Sequence, residues 1–248
     1  MSPFWVTAFL DLAPDEHEDG LALWERLTGY QRSAVRGDGG EFVSLLPTRG
    51  DDFLRVQRLG SGPSRVHLDL HVDDPFVAAE EAVGLGARVV ADLGGYLTLT
   101  SPGGFTFCFV THRASEVPPA TDWPTGRSRV DQVCLDIGPS IYDEEFAFWE
   151  ALTGWSPRPP QPDNEFARLT PPPGYPLQLL LQRLDQDEPT VRAHLDWCAV
   201  DRDAEVDRQV AAGATAGRRY DRGWTVLTGP AGFTYCVTAR PPEEDRTR

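Results

Sequence analysis

The sequence predicts an α+β fold made of four βαβββ modules in tandem pairs, giving two eight-stranded curved sheets with the helices outside. Three observations carry this. One short pattern is written four times, as Phe9-Leu-Asp11-Leu, His67-Leu-Asp69-Leu, Cys134-Leu-Asp136-Ile and His194-Leu-Asp196-Trp. The first two copies then return as a block. Leu23-Trp-Glu-Arg-Leu-Thr-Gly29 recurs as Phe148-Trp-Glu-Ala-Leu-Thr-Gly154, and Gln57-Arg-Leu recurs as Gln182-Arg-Leu. Ser101-Pro-Gly-Gly-Phe-Thr-Phe-Cys108 recurs as Gly229-Pro-Ala-Gly-Phe-Thr-Tyr-Cys236. Finally, each copy opens with apolar residues at period two and continues at helical period.

The spacing sets the boundaries. Trp24 and Trp149 stand 125 residues apart and Cys108 and Cys236 stand 128 apart, so the two copies differ only by short loop insertions. Asp11 to Asp69 is 58 residues and Asp136 to Asp196 is 60. Four units of that length are too few and too long for a solenoid and fit a duplicated two-module domain. Domain one is expected at 1–112 (modules 1–60 and 61–112) and domain two at 129–240 (modules 129–188 and 189–240). Residues 113–128, with Pro118, Pro119 and Pro124 and no apolar period, read as a linker. The polar tail 241–248 reads as frayed.

In each opening strand the aliphatic residues share one face. Val66, Leu68, Leu70 and Val72 alternate with His67, Asp69 and His71; Ala8, Leu10 and Leu12 alternate with Thr7, Phe9 and Asp11. The next element is a helix. Asp15–Leu27 carries Leu21, Trp24 and Leu27 at helical spacing with Gly29 as the stop, and Asp143–Leu152 repeats this with Phe146, Trp149, Leu152 and Gly154. Modules two and four place helices at Pro75–Val83 and Asp203–Ala211, with Asp73-Asp74 and Asp201-Arg-Asp203 supplying carboxylates at the starts. The closing strands, such as Tyr96–Thr100 and Phe105–Val110, flank a Pro-Gly turn at 101–104.

By this alternation one cavity face carries Phe9, Phe53, Gln57, His67, Asp69, His71 and Cys108, with Arg55 beside Gln57. The other carries Cys134, Gln182, His194, Asp196, Cys198 and Cys236. The Asp of the fourfold pattern also follows Phe9 and Cys134, where there is no His to orient. It is therefore expected to be scaffold, hydrogen-bonding the backbone where the strand enters the helix. Trp24, Trp149 and Trp197 are expected in the core, and His17 and His112 in solvent.

Composition excludes several classes. The formal charge is −15, and no basic run exists to follow a phosphate backbone, so nucleic acid is not an expected partner. All 23 basic residues are Arg, which removes Lys Schiff-base chemistry. The acidic field favours cationic over anionic small molecules. The four cysteines form no CxxC, no secretory signal opens the chain, and no apolar run approaches the about 20 residues of a membrane span. A cytoplasmic protein with free thiols is expected, as a monomer or homodimer away from membranes. No phosphate-binding Gly loop, nucleophile elbow or HExxH helix is present.

The Trp-Glu-x-Leu-Thr-Gly, Gln-Arg-Leu, His-Leu-Asp-Leu and Pro-x-Gly-Phe-x-x-Cys elements together resemble the vicinal oxygen chelate superfamily. This superfamily includes glyoxalases, bleomycin-resistance proteins and extradiol dioxygenases. The similarity is strongest to the glyoxalase-like domain found in tandem in actinobacteria. It implies paired βαβββ modules and, in metal-dependent members, a His or Glu on first strands and a Glu on last strands. Those positions fall here on Phe9, Gln57, His67 and Cys108, and on Cys134, Gln182, His194 and Cys236. The last-strand Glu is replaced by Cys in both halves.

The resulting expectation is a glyoxalase-like protein that binds a small, partly aromatic organic molecule without a metal, for sequestration or for unassigned chemistry. The ligand-facing residues are Phe9, Phe53, Arg55, Gln57, His67, Asp69, Cys108, Cys134, Gln182, His194, Asp196 and Cys236. His67 and His194 are the acid–base groups if the protein is catalytic. One alternative is a metal-dependent lyase, isomerase or dioxygenase with zinc in domain two on Cys134, His194 and Cys236. The other is a non-catalytic interaction module.

Overall fold

A computed structural model describes residues 2–159, 164–229 and 232–242. Most of the tail, 243–248, lies outside the described residues, as do Pro230 and Ala231 of the second Pro-x-Gly motif.

Module one runs β1 (Trp5–Leu12), α1 (His17–Thr28), β2 (Gln31–Arg32), β3 (Phe42–Leu46) and β4 (Leu54–Arg58). Module two runs β5 (Arg65–His71), α2 (Pro75–Gly84), β6 (Arg88–Asp92), β7 (Leu97–Thr100) and β8 (Thr106–Val110). After β9 (Thr121–Trp123), module three runs β10 (Gly126–Ile137), α3 (Tyr142–Thr153), β11 (Ser156–Arg158), β12 (Phe166–Thr170) and β13 (Gln178–Arg183). Module four runs β14 (Arg192–Ala199), α4 (Arg202–Ala211), β15 (Thr215–Tyr220), β16 (Trp224–Thr228) and β17 (Thr234–Thr238).

The first sheet has the order β2-β3-β4-β1-β5-β8-β7-β6, and the second repeats it as β11-β12-β13-β10-β14-β17-β16-β15. Both are mixed. Each module's first and last strands run parallel where β5 meets β8 and β14 meets β17, and the hairpins are antiparallel. The second sheet gains a ninth strand from the segment expected as plain linker. There β9 pairs with the start of β10 through Gly126↔Trp123 and Ser128↔Thr121. Arg208 stacks on the Trp123 ring at 3.7 Å, and Thr121 Oγ1 donates to the Thr28 carbonyl at 2.9 Å.

By compactness the chain divides across its two halves. One unit holds 1–9, 66–116 and 133–193; the other holds 10–65, 117–132 and 194–248. The repeated Trp-Glu-x-Leu-Thr-Gly segment accounts for much of the packing inside each unit. In the first, Trp149 of α3 meets Phe105 and Phe107 of module two edge-on at 5.9 and 5.4 Å. In the second, Trp24 of α1 meets Phe233, Tyr235 and Trp197 of module four at 6.3, 5.5 and 6.2 Å. Each unit thus joins the helix of an odd module to the last strand of an even one. Trp24, Trp149 and Trp197 are all buried, as their spacing predicts.

The Thr-Gly ending works the same way twice. Thr28 Oγ1 donates to the Trp24 carbonyl at 2.6 Å and accepts from Tyr30 N at 3.1 Å; Thr153 does so with Trp149 and Trp155 at 2.7 and 3.2 Å. Gly29 and Gly154 then take the left-handed conformation (φ 72° and 65°) that a side chain would strain. Helix starts shift by a residue or two from expectation. α1 begins at His17 rather than Asp15, and α3 begins at Tyr142 rather than Asp143. His17 is half-buried rather than solvated, and burial leads the causes that lower its pKa. Asp74 and Asp201 cap α2 and α4, each accepting from the backbone amides two and three residues on. Among the described residues no helix is long and apolar enough to cross a membrane.

Candidate functional site

Strand register builds the same cluster twice. His67 and Asp69 sit two apart on β5 and so face the same way, and Asp69 lies beside Cys108 across the parallel pair with β8. His194 and Asp196 repeat this on β14, with Asp196 beside Cys236 of β17. The nitrogen, oxygen and sulfur atoms of His67, Asp69 and Cys108 all lie within 4.8 Å of one another, and so do those of His194, Asp196 and Cys236. His67 Nε2 stands 3.6 Å from Asp69 Oδ1, and His194 Nε2 stands 3.4 Å from Asp196 Oδ1. Each cluster falls within one compact unit, the first in the unit that holds 66–116 and the second in the unit that holds 194–248.

This corrects the expected role of the aspartate. Asp69 and Asp196 are not bonded to the backbone where their strand enters the helix. Each carboxylate lies beside the histidine two residues before it, on the ligand-facing side where Asp69 and Asp196 were also expected. Asp11, in the first module, is held differently, accepting from Arg65 Nε at 3.1 Å.

The two clusters differ in what surrounds them. In the first, Phe9 lies flat on His67, with centroids 4.5 Å apart and planes 12° from parallel. Thr98 Oγ1 lies 3.5 Å from Cys108 Sγ. In the second, Gln132 Nε2 donates to Asp196 Oδ2. Arg240 Nη1 donates to Gln132 Oε1 at 3.0 Å, and Arg240 Nη2 bonds Asp131. Asp131, Gln132 and Asp196 are all buried, so this is an anchored polar chain in a low-dielectric setting. Asp196 Oδ1 is left buried without a hydrogen-bond partner. Gln132, Arg240 and Asp131 were not among the sequence candidates. The available signal was the departure between copies, since Gln132 and Arg240 fall where the first half has Thr7 and His112.

Two residues expected on the cavity faces are bound up elsewhere. His71 Nε2 pairs with Thr7 Oγ1 at 2.9 Å while its Nδ1 pairs with the His112 carbonyl at 2.6 Å. Cys198 donates to the Arg129 carbonyl at 3.4 Å, and burial, then the Asp131 carboxylate, push its thiol well up, so it stays protonated. Phe53, Arg55 and Gln57 belong to the second compact unit and the His67 cluster to the first. Phe53 is buried edge-on against Tyr30, Arg55 is ion-paired to Asp52 at 2.7 Å, and half-buried Gln57 lies opposite Phe42. Cys134 and Gln182 fall in the first unit by chain segment, and His194 and Cys236 in the second. Asp196 stands beside His194 and Cys236 in the second unit.

The sequence of the family described as glyoxalase-like domain matches residues 7–110 and again 132–238. The chain belongs to the glyoxalase-like domain family. It is thereby a member of the vicinal oxygen chelate superfamily, in two copies. No protein of curated function matches it by sequence. Solved structures share its fold. A mutant 4-hydroxymandelate synthase from Streptomyces coelicolor aligns at TM-score 0.63 and 16% identity over 95% of this chain and 93% of its own. The Mn(II)-bound glyoxalase from Novosphingobium aromaticivorans aligns at 0.63 and 12% over 97% and 83%. The 2,2',3-trihydroxybiphenyl 1,2-dioxygenase from Sphingomonas wittichii aligns at 0.59 and 17% over 96% and 90%.

The ligand set that the superfamily implies does not fit the first half, because position 9 is a phenylalanine whose ring covers the imidazole of His67. The cluster His194, Asp196 and Cys236 in the second half offers imidazole, carboxylate and thiolate. With metal–ligand bonds of about 2.0–2.3 Å, a tetrahedral ion spaces its ligand atoms by about 3.3–3.8 Å. The 3.4 Å between His194 and Asp196 falls in that range. The orphaned Asp196 Oδ1 is the atom such an ion would satisfy. His194, Asp196 and Cys236 therefore offer donor types that suit a zinc-like ion.

Proposed function

We propose that the first half of this glyoxalase-like protein, 1–112, binds a small, partly aromatic organic molecule without a metal, for sequestration or for acid–base chemistry on that ligand. The observation that carries the reading is Phe9 stacked flat on His67, with Asp69 and Cys108 at the imidazole edge. An aromatic surface with a few convergent polar groups is the usual make-up of a small-molecule site. His67, backed by the Asp69 carboxylate, is the group able to exchange a proton near neutral pH. Two proteins of the same fold are named for aromatic compounds, a 4-hydroxymandelate synthase and a trihydroxybiphenyl dioxygenase, which is in keeping with an aromatic ligand here.

The test is a calorimetric screen of hydroxylated benzoates, phenols and aromatic amines in the presence of chelator. At least one compound is expected to bind, and His67→Ala and Phe9→Ala are each expected to weaken it by about tenfold or more, about 1.4 kcal/mol. If no aromatic compound binds, or if both variants bind as tightly as the parent, the reading is wrong.

A further inference from the structure

We propose that the outer face of α2 and the edge strand β6, in module two, form a homodimer interface. It docks on the same face of a second copy of this chain about a two-fold axis that sets Arg88 of one copy against Asp92 of the other.

The helix is built the wrong way round for a solvated surface. The residues that α2 buries against its sheet are Pro75, Ala78, Ala79 and Ala82, all small. Its larger apolar side chains, Phe76, Val77 and Val83, are the exposed ones, where an outer helix ordinarily carries charge. Leu85 follows in the turn, and Val89 and Val90 follow on β6; Val90 is 62% exposed and Phe76 53%. With Leu93, these are seven of the eleven large apolar side chains exposed among the described residues, all between positions 76 and 93. Ala87 N donates to the Ala82 carbonyl at 2.9 Å and turns the chain straight back, so β6 packs beside α2 and the exposed residues adjoin.

The fold does not require such a surface. Module four stands 127 residues on (201 − 74 at the caps, 215 − 88 at the strands). It has Asp203, Ala204, Ala216 and Gly217 where module two has Phe76, Val77, Val89 and Val90. There Arg219 pairs with Asp203 at 3.0 Å and closes the surface with charge. The matching residues of module two are Asp92 and Phe76.

Charge and area both say that a second copy covers it. β6 is the last strand of its sheet, bordered by β7 alone, and it begins with Arg88 and ends with Asp92, both exposed. Asp92 Oδ1 accepts from Gly94 N at 3.0 Å, which holds the carboxylate. Two β6 strands laid side by side in opposite directions bring each Arg88 to the Asp92 of the other copy and put Val89 and Val90 at the centre. Laid in the same direction they set like charge on like. The face is therefore complementary to itself under a two-fold, the usual geometry of homodimers. The seven side chains present on the order of 500 Å² of apolar surface, at the upper end of what a monomer shows. Two such faces with a polar rim reach the about 1,600 Å² of a stable interface. The register of β6 shifts between Val89 and Ala91, a bulge that spoils an exposed strand edge. The copies therefore meet through side chains, not by continuing one sheet into the next.

The experiment is sedimentation velocity on the full chain. The parent is expected to be mostly dimeric at about 100 µM, with a dissociation constant on the order of 1 µM or tighter. Val90→Glu is expected to weaken the dimer by about tenfold or more. Val210→Glu, at the matching helix position of module four, is expected to leave it unchanged. Arg88→Asp and Asp92→Arg are each expected to weaken it by about tenfold or more when alone, because each sets like charges together twice. Mixed in equal amounts, these two variants are expected to dimerise with each other, and the double variant R88D/D92R is expected to recover. All the substituted residues are exposed, and the recovery arms show that the single variants are folded. A parent that stays monomeric at about 100 µM overturns the proposal, even if another protein or a lipid surface binds the face. A dimer that Val90→Glu leaves intact overturns the location. Failure of both the mixture and the double variant to recover overturns the two-fold pairing. None of these readouts needs a small-molecule ligand, so they are independent of the function proposed for the first half.

Discussion

His67, Asp69 and Cys108 in one half and His194, Asp196 and Cys236 in the other are the same three residue types in the same strand register, with His–Asp separations of 3.6 and 3.4 Å. What lies behind them is not the same. In the first half the opening strand offers Thr7, whose short hydroxyl is taken by His71. In the second, Cys198 replaces His71 and bonds the Arg129 carbonyl instead, while Gln132 replaces Thr7 and reaches both Asp196 and Arg240. The two copies keep what register dictates and diverge one layer out, where a side chain's length decides which neighbour it reaches.

The sharpest way to break this comparison is at Arg240. Arg240→Met removes a cation from buried Asp131 and takes a donor from Gln132. Breaking a buried pair costs about 3–5 kcal/mol. Because 16% of the Arg240 side chain is exposed, a loss of about 3 kcal/mol is expected in urea unfolding. The matching residue His112 is exposed, and it meets His71 through its backbone carbonyl and an edge-on ring contact at 5.9 Å, so His112→Ala should stay within about 0.5 kcal/mol. Equal effects at the two positions would mean that the polar chain behind Asp196 is not a structural distinction between the halves.

The helix tryptophans sharpen it next. Trp149 Nε1 donates to Glu145 at 2.8 Å, and Glu145 also accepts from Gly103 N in the turn before β8. The residue at that helix position in α1 is Gly20, so Trp24 has no carboxylate beneath it. Trp149→Phe removes a donor from a buried carboxylate and should destabilise by about 2 kcal/mol beyond the change in volume. Trp24→Phe loses packing alone, about 1 kcal/mol. If the two variants unfold at the same denaturant concentration, the Glu145 hydrogen bond contributes nothing net.

How far the residues alone reach follows the same line. The four modules, the burial of Trp24 and Trp149, and the Asp74 and Asp201 caps were legible because each rests on local period or local chemistry. The family was legible from motifs that turn out to be structural, such as Thr28-Gly29 closing α1. All three members of each cluster stood among the ligand-facing residues, the His and the Cys by family position and the Asp by strand alternation. The Asp carried a second expectation, a backbone hydrogen bond, because it also occurs at Asp11 and Asp136. Gln132, Asp131 and Arg240 were invisible because strand alternation shows which way a side chain points, not how far it reaches or what lies across the sheet. The pairing of α1 with β17 and of α3 with β8 was equally hidden, since no period within a half reports a partner in the other half.

Acid stability separates the units again, by a smaller amount. Burial is the leading cause that raises the Glu145 pKa above its ordinary 4.5. Below that value the carboxyl is protonated in both folded and unfolded chains. As pH rises past 4.5 the unfolded chain ionises first and binds fewer protons, so this group's contribution falls until the folded pKa is passed, and is then constant. Subtracting the stability of Glu145→Gln from that of the parent at each pH isolates the group, because the other carboxylates cancel. The difference is expected to move against the parent as pH rises through this window. A flat difference would mean that Glu145 titrates normally.

The smallest expected difference is none. Asp74 Oδ1 accepts from Phe76 N and Val77 N at 2.9 and 3.2 Å, and Asp201 Oδ1 accepts from Asp203 N and Ala204 N at 3.1 and 3.0 Å. Both residues are exposed, both precede a ten-residue helix, and both have extended backbone. Asp74→Ala and Asp201→Ala should each cost about 1 kcal/mol in thermal or urea unfolding. Where the local geometry of the two halves is the same, their energetics should be the same. A gap of more than about 1 kcal/mol between these two variants would mean that the halves differ in overall stability and cooperativity. The contrasts at Arg240 and Trp149 would then have to be measured against that background before being assigned to the residues themselves.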